Sequence, residues 1–261
     1  MASRFAGARS PGREVLATPP VASFLQSTWH MQVFRDRQQA GQLLAQRFDL
    51  YIGDPSVILL ALPRGGVPVG YEIAIRLGAS LDVLVVRKLG VPGYAELAMG
   101  AIASDGILIA DRRVIDMLGI SREAFEAVIA RERAELDRRE RAFRAGRPRL
   151  DIAGKTVILV DDGLATGASM AAAIDAVRTR KPARVIGAVP VAPPEVCDAL
   201  GDRADEMVCL LTPARLHAVG LWYQDFTQTS DDEVRALLDA AARERQARGA
   251  PRGAEPASPA R

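Results

Sequence analysis

The segment 157–169, VILVDDGLATGAS, constrains this chain more than any other. Four consecutive apolar residues describe a strand buried on both faces, and two acids stand at its C-terminal end. A loop of small residues then runs directly into a helical pattern. A strand of that kind sits in the middle of a sheet, so the rest of the chain has to supply its neighbours and the helices that cover them.

It does. Residues 34–48 read as a helix carrying Phe34, Leu43, Leu44 and Phe48, and 57–60 form a short apolar run followed by a Gly/Pro break and a helix near 68–77. The next strand is expected at 81–86, and Asp105-Gly106 between two apolar runs marks a hairpin turn. A long helix is expected over 122–145. Its Phe125, Ile129, Leu136 and Phe143 form one stripe, with Glu135–Arg139, Asp137–Arg141 and Glu140–Arg144 pairing on the wet side. After the 157–160 strand come a helix at 168–179, strands at 185–191 and 207–211 with a short helix between, and a last helix. Ser230 with Glu233 makes a capping box for that helix. Continuous apolar strands alternating with helices imply an α/β fold, a parallel sheet with helices on both faces. Residues 1–30 and 247–261 have too few large apolar side chains to offset the entropy of ordering, which leaves 31–246 as the folded domain.

Composition narrows the partners. A formal charge of +2 gives no support to a broad nucleic-acid or membrane-surface role. No apolar run approaches the roughly 20 residues of a membrane helix. The start has arginines but no continuous apolar signal segment, so a cytoplasmic location is expected. Cys197 and Cys209 lie in apolar stretches without a nearby histidine, and read as two buried thiols in a reducing compartment.

The chemistry gathers after the strands. Gly167 lets the backbone approach a ligand closely, and the helix start aims N–H groups and a positive end at an anion. Thr166 and Ser169 add hydroxyl donors. Asp161 and Asp162 are poorly placed for burial unless hydroxyls or a cation use them. Phosphate on one side and a diol on the other describe a ribose 5-phosphate. An ordinary strand-to-helix turn with a capping acid explains one aspartate but not two followed by Thr-Gly.

On these residues the segment resembles the phosphoribosyl pyrophosphate signature of the type I phosphoribosyltransferases. The resemblance implies that fold with a small hood, built here from the N-terminal helix and about 212–230. It implies Asp161 and Asp162 on the ribose 2′- and 3′-hydroxyls, Ala165, Thr166, Gly167, Ala168 and Ser169 on the 5′-phosphate, and Gly163 as a further substrate-binding position, with Mg2+ as cofactor. Leu62-Pro63-Arg64-Gly65-Gly66 resembles the family's pyrophosphate loop, with Arg64 supplying charge and Gly65 and Gly66 a backbone nest; a plain glycine turn is the alternative. Arg87 and Lys88, at the expected strand end, match the family's basic position near pyrophosphate, with 89–100 as a mobile closing loop carrying Glu96. Solvent-facing cations account for that pair equally well.

The acceptor is left open. Enzymes of 6-oxopurines usually have an aspartate where this chain has Ala165, and Ala-Thr-Gly is closer to the adenine version, which points toward purine salvage. Within 217–233, Trp222 or Tyr223 is placed to stack on a flat base, or to pack with Phe226 against the N-terminal helix as a small core. Asp225 resembles the hood acid that helps hold magnesium. A homodimer is expected, with the 122–145 helix as a candidate dimer element. The reading is a phosphoribosyltransferase acting on phosphoribosyl pyrophosphate and a nucleobase-like or amine acceptor; the alternative is a regulator that senses this sugar without turning it over. No G-x-G-x-x-G or P-loop pattern supports another nucleotide fold.

Overall fold

A computed structural model describes residues 33–144 and 146–249. The extensions expected at 1–30 and beyond 249 lie outside the described residues, and the last helix runs to Gly249, past the 246 boundary expected from composition.

The central sheet is parallel throughout, in the order β2-β1-β6-β7-β8. Its strands are β1 (Val57–Ala61), β2 (Ser80–Val83), β6 (Thr156–Val160), β7 (Arg184–Val191) and β8 (Glu206–Leu211). Alternation along β6 explains why the run has to be apolar on every residue. Val157 and Leu159 pack toward α5 (Ala168–Thr179), against Met170, Ile174 and Val177. Ile158 and Val160 point to the other face, against Leu44 of α1 (Arg37–Ala45) and Val69 and Ile73 of α2 (Gly66–Leu77). Two of the three loops expected to form the site, those after β1 and β6, leave the same C-terminal edge.

The chain leaves this sheet after β2. The strand expected at 81–86 stops at Val83, and β3 (Val86–Val91) starts a second, antiparallel sheet with β4 (Tyr94–Ala103) and β5 (Ile107–Ala110). The closing loop expected at 89–100 is therefore paired as a hairpin, turning at Pro92-Gly93, where Gly93 has φ of 80°. The Asp105-Gly106 turn falls where expected, in a 3-10 turn between β4 and β5. A short helix α3 (Arg112–Met117) follows, capped by the Asp111 carboxylate.

Helix α4 (Arg122–Arg144) matches its expected span, and the structure gives it a partner. Val128, Leu136 and Phe143 bury against Leu89, Met99 and Ile102 of the hairpin sheet and Val234 and Leu238 of α7 (Asp231–Gly249). Each such side chain stabilises by roughly 1.5–3 kcal/mol, whereas an exposed helical ion pair contributes about 0.3–0.5. The apolar stripe fixes the helix, and it is used inside the chain. One expectation is corrected: Glu140 and Arg144 do not face water. Both are about nine-tenths buried, and Arg144 also donates to Asp82 at 2.6 Å and to the Val83 carbonyl. This ties α4 to the end of β2.

Cys197 of α6 (Pro194–Gly201) and Cys209 of β8 form a disulfide rather than two thiols, because the helix packs back on the strand that follows it. No helix among the described residues is long and apolar enough to cross a membrane.

Candidate active site

Strand β6 delivers Asp161 and Asp162 to the C-terminal edge of the sheet. The Asp162 N–H donates to Asp161 Oδ1 at 2.9 Å, and Leu164 N–H donates to the Val191 carbonyl, anchoring the loop on β7. Burial, and then the Asp162 charge, push the Asp161 carboxyl well above the usual carboxylate range. The loop needs its glycines. At Gly163, φ is 154° and an added Cβ would lie 2.5 Å from Val219; at Gly167, φ is 72° and it would lie 2.8 Å from Val196 of α6. Gly167 is the N-cap of α5, and the Thr166 hydroxyl caps Ala168 N–H loosely at 3.5 Å.

The loop after β1 meets this signature directly. A Cβ at Gly65 would sit 1.9 Å from Asp162 Oδ2, and one at Gly66 would sit 2.5 Å from the Val160 carbonyl. Close approach to the acids is thus the reason for both glycines. The Gly66 N–H is spent on the Leu62 carbonyl, so it is not a free member of an anion nest. The Pro63–Arg64 peptide is cis. Arg64, at the cavity edge, reaches Asp231 at the start of α7 at 3.4 Å.

The other basic positions separate. Arg87 and Lys88 both lie within β3, not at a strand end of the parallel sheet. Arg87 gives Nε and Nη2 to Glu132 of α4, at 2.9 and 2.5 Å, so in this structure its guanidinium is held against the helix under the hairpin. Lys88, exposed on the same strand, lines a cleft of about 740 Å³ with Thr166, Ala168 and Ser169. That cleft also receives Arg112, Arg113 and Arg203, none of which has a motif to signal it. Ala165 is exposed beside it. Glu96 lies on β4, and its side chain falls outside the described residues.

The hood forms from the start of α1 and the 219–229 segment, joined where Phe34 N–H donates to the Trp222 carbonyl. Tyr223 is 5% exposed, packs on Phe34 with ring centroids 5.4 Å apart, and donates its hydroxyl to the Asp162 carbonyl at 2.6 Å. Burial pushes that phenol far up, with the Asp162 charge adding to it. It packs the hood rather than offering a stacking face to a base. Trp222 is half-buried in the same cluster. Asp225 is exposed and bonded to Thr227 N–H and Oγ1, which lowers its carboxyl. It does not join Asp161 and Asp162: no three His, Cys, Asp or Glu converge on a metal site among the described residues.

The residue that sequence reasoning missed is Arg37. It opens α1, and its Nε donates to Asp162 Oδ2 at 2.7 Å across 125 positions of sequence. With Arg64, Gly65, Arg139, Phe226, Gln228 and Thr229, the pair lines a cavity of about 500 Å³. Nothing in the periodicity of α1 singles out Arg37, because only the tertiary fold brings it to the signature.

Comparison with known proteins places the chain in a family. The family model described as "Phosphoribosyl transferase domain" matches residues 35–208. A Mycobacterium tuberculosis protein named "Putative phosphoribosyl transferase Rv0571c" is 48% identical over 214 residues, covering 82% of this chain and 48% of that protein. The chain thus spans about half the length of the curated relatives it matches. The crystal structure of TT1426 from Thermus thermophilus superposes with a TM-score of 0.71 at 44% identity, covering 79% of this chain and 97% of that one. This chain belongs to the phosphoribosyl transferase domain family, the type I phosphoribosyltransferases that its signature resembles.

Proposed function

We propose that the chain binds 5-phosphoribosyl-1-pyrophosphate with magnesium and transfers the phosphoribosyl group to a nucleobase-like or amine acceptor, releasing pyrophosphate. One observation carries the reading: paired acids at the end of the central strand, followed by a glycine-capped helix start and contacted by the Gly65 loop. In it, Asp161 and Asp162 take the ribose hydroxyls, the 165–169 loop takes the 5′-phosphate, and Lys88 and Arg64 add positive charge at the pyrophosphate.

The C1–O bond to pyrophosphate breaks as the acceptor nitrogen forms a bond to C1, and positive charge develops on the sugar ring between the two events. The protein's contribution is electrostatic and positional: cations at the departing oxygens, carboxylates beneath the ring, and amides fixed at the phosphate. Neither aspartate has to carry a proton. Two adjacent carboxylates fit magnesium only as part of its shell, since the ion prefers six oxygens and keeps water or substrate oxygens for the remainder. When bound, it adds charge neutralisation at the pyrophosphate.

The experiment is to incubate the protein with the sugar pyrophosphate, magnesium and separate purine, pyrimidine and amine acceptors, and to measure pyrophosphate release. Acceptor-dependent release identifies the substrate. Tight binding without release from any acceptor contradicts transfer and favours a sensing role.

A further inference from the structure

If Asp162 takes a ribose hydroxyl through Oδ2, that oxygen has to be released first, because in this structure Arg37 already holds it. Arg37 donates Nε–H to Asp162 Oδ2 at 2.7 Å and Nη1–H to the Thr227 carbonyl at 2.8 Å, and its guanidinium carbon lies 3.9 Å from the Phe226 ring centroid. The Arg37 and Asp162 side chains are only 10% and 15% exposed. A carboxylate, a carbonyl and an aromatic face are the contacts by which a site holds a planar, hydrogen-bonding ligand, and here they are filled from within the chain.

We propose that Arg37 is a built-in competitor for the sugar site: it occupies Asp162 before substrate arrives and has to be displaced when ribose hydroxyls or a divalent ion take that carboxylate. This rests on the transferase reading of Asp162. Helix α1 does not depend on the contact for its place. It is docked by Ala40, Leu44 and Ala45 in the core, capped by the Asp36 carboxylate on Gln39 N–H, and tied to the hood through Phe34. The guanidinium also has somewhere to go. Its nearest other partners, Thr227 and Phe226, sit on an exposed segment, with the buried Tyr223 ring farther off at 6.0 Å, and the 500 Å³ cavity beside it is bordered by Arg64, Arg139 and Gln228. A site that is mostly self-occupied binds more weakly in proportion to its open fraction. Arg37 is therefore a positioning residue that sets the affinity for the sugar and the ion through Asp162.

The test is calorimetric titration of magnesium phosphoribosyl pyrophosphate into the full chain, its Arg37→Gln and Arg37→Lys variants, and Phe226→Leu, each checked for folding by thermal melting. A partly buried charge pair worth about 1.4 kcal/mol corresponds to about tenfold in affinity, so Arg37→Gln binds about tenfold tighter. Arg37→Lys falls between it and the parent, and Phe226→Leu, which removes the ring face under the guanidinium together with a ring contact to Tyr223, shifts in the same direction by less. Folded variants that bind no tighter than the parent overturn the proposal. If no form binds the sugar, the transferase reading of the site fails, and a manganese titration decides the competition alone. Tighter manganese binding by Arg37→Gln, abolished by adding Asp162→Asn, sustains it; equal binding to parent and variant overturns it.

Discussion

The two sides of the candidate site differ in how ready they are. On the phosphate side, Thr166, Ala168 and Ser169 face an open cleft of about 740 Å³ that they share with Lys88. On the hood side, Asp162 is bonded to Arg37, touched by Gly65 and backed by the Tyr223 hydroxyl on its carbonyl. The phosphate side is built by local rules, a glycine cap and a helix start. The hood side is built by contacts between segments 61 to 125 residues apart. Under the proposed function, the first meets its anion through an open cleft, whereas the second exchanges protein partners for ligand.

Gly65→Ala breaks this comparison most severely. Its Cβ falls 1.9 Å from Asp162 Oδ2, so the carboxylate has to move. Displacement of a positioning group by about 1 Å is enough to cost on the order of a hundredfold, and sugar pyrophosphate binding is expected to drop by at least that, read by titration. The phosphate-side variant Ser169→Ala, which deletes one hydroxyl and moves no backbone, is expected to lose about tenfold. A Gly65→Ala protein that binds normally contradicts the tight apposition of the two loops.

Glu132→Gln sharpens the distinction between Arg87 and Lys88. It removes the carboxylate that holds Arg87 under the hairpin, and stability is expected to fall by about 2 kcal/mol in chemical denaturation. Affinity for the sugar pyrophosphate stays within about twofold of the parent, because Arg87 serves the hairpin. A loss of binding much larger than the loss of stability returns Arg87 to the site.

Asp161 gives the pH dependence. Its carboxyl is raised by burial and by the Asp162 charge, so the folded protein holds that proton more tightly than the unfolded chain does. The group contributes stability at low pH, and this is lost as pH rises from the unfolded carboxylate value through the raised folded one. Asp161→Asn keeps the acceptor for Asp162 N–H and removes the buried charge. It is expected to flatten that part of the stability profile and to gain about 1 kcal/mol near neutrality, seen in melts across pH. A variant with the parent's slope assigns the dependence elsewhere. Asp225→Asn is the smallest change: its carboxylate is exposed and committed to Thr227, so magnesium dependence moves by less than about twofold.

The same division governs what is legible in the sequence. The parallel sheet can be read because every residue of 157–160 is apolar and the small-residue loop changes directly into a helix, both features of neighbouring residues. The glycines of 65–66 and 163–167 are visible as well, although their reason, contact with Asp162, Val219 and Val196, is tertiary. The hairpin hides behind the Gly/Pro content of 89–100, which suggests mobility, while Pro92-Gly93 in fact marks a tight turn between paired strands. Helix α4 announces its length and stripe but not its partner, since the second sheet that receives the stripe is itself hidden. Of the two readings of Tyr223, packing with Phe226 against the N-terminal segment is the one seen, Arg87 is ion-paired to a helix that its neighbours in sequence do not announce, and Arg37 carries no local sign at all. The cysteines pair because α6 folds back on β8, which spacing alone does not reveal.

The central claim is that Asp161 and Asp162 hold the sugar of phosphoribosyl pyrophosphate. The most direct measurement is calorimetric titration of that compound into the full chain and into the Asp161→Asn, Asp162→Asn double variant, with and without magnesium. The account predicts magnesium-dependent binding by the parent and none by a double variant that still melts cooperatively. Full affinity in the double variant, or no binding by the parent under either condition, contradicts it.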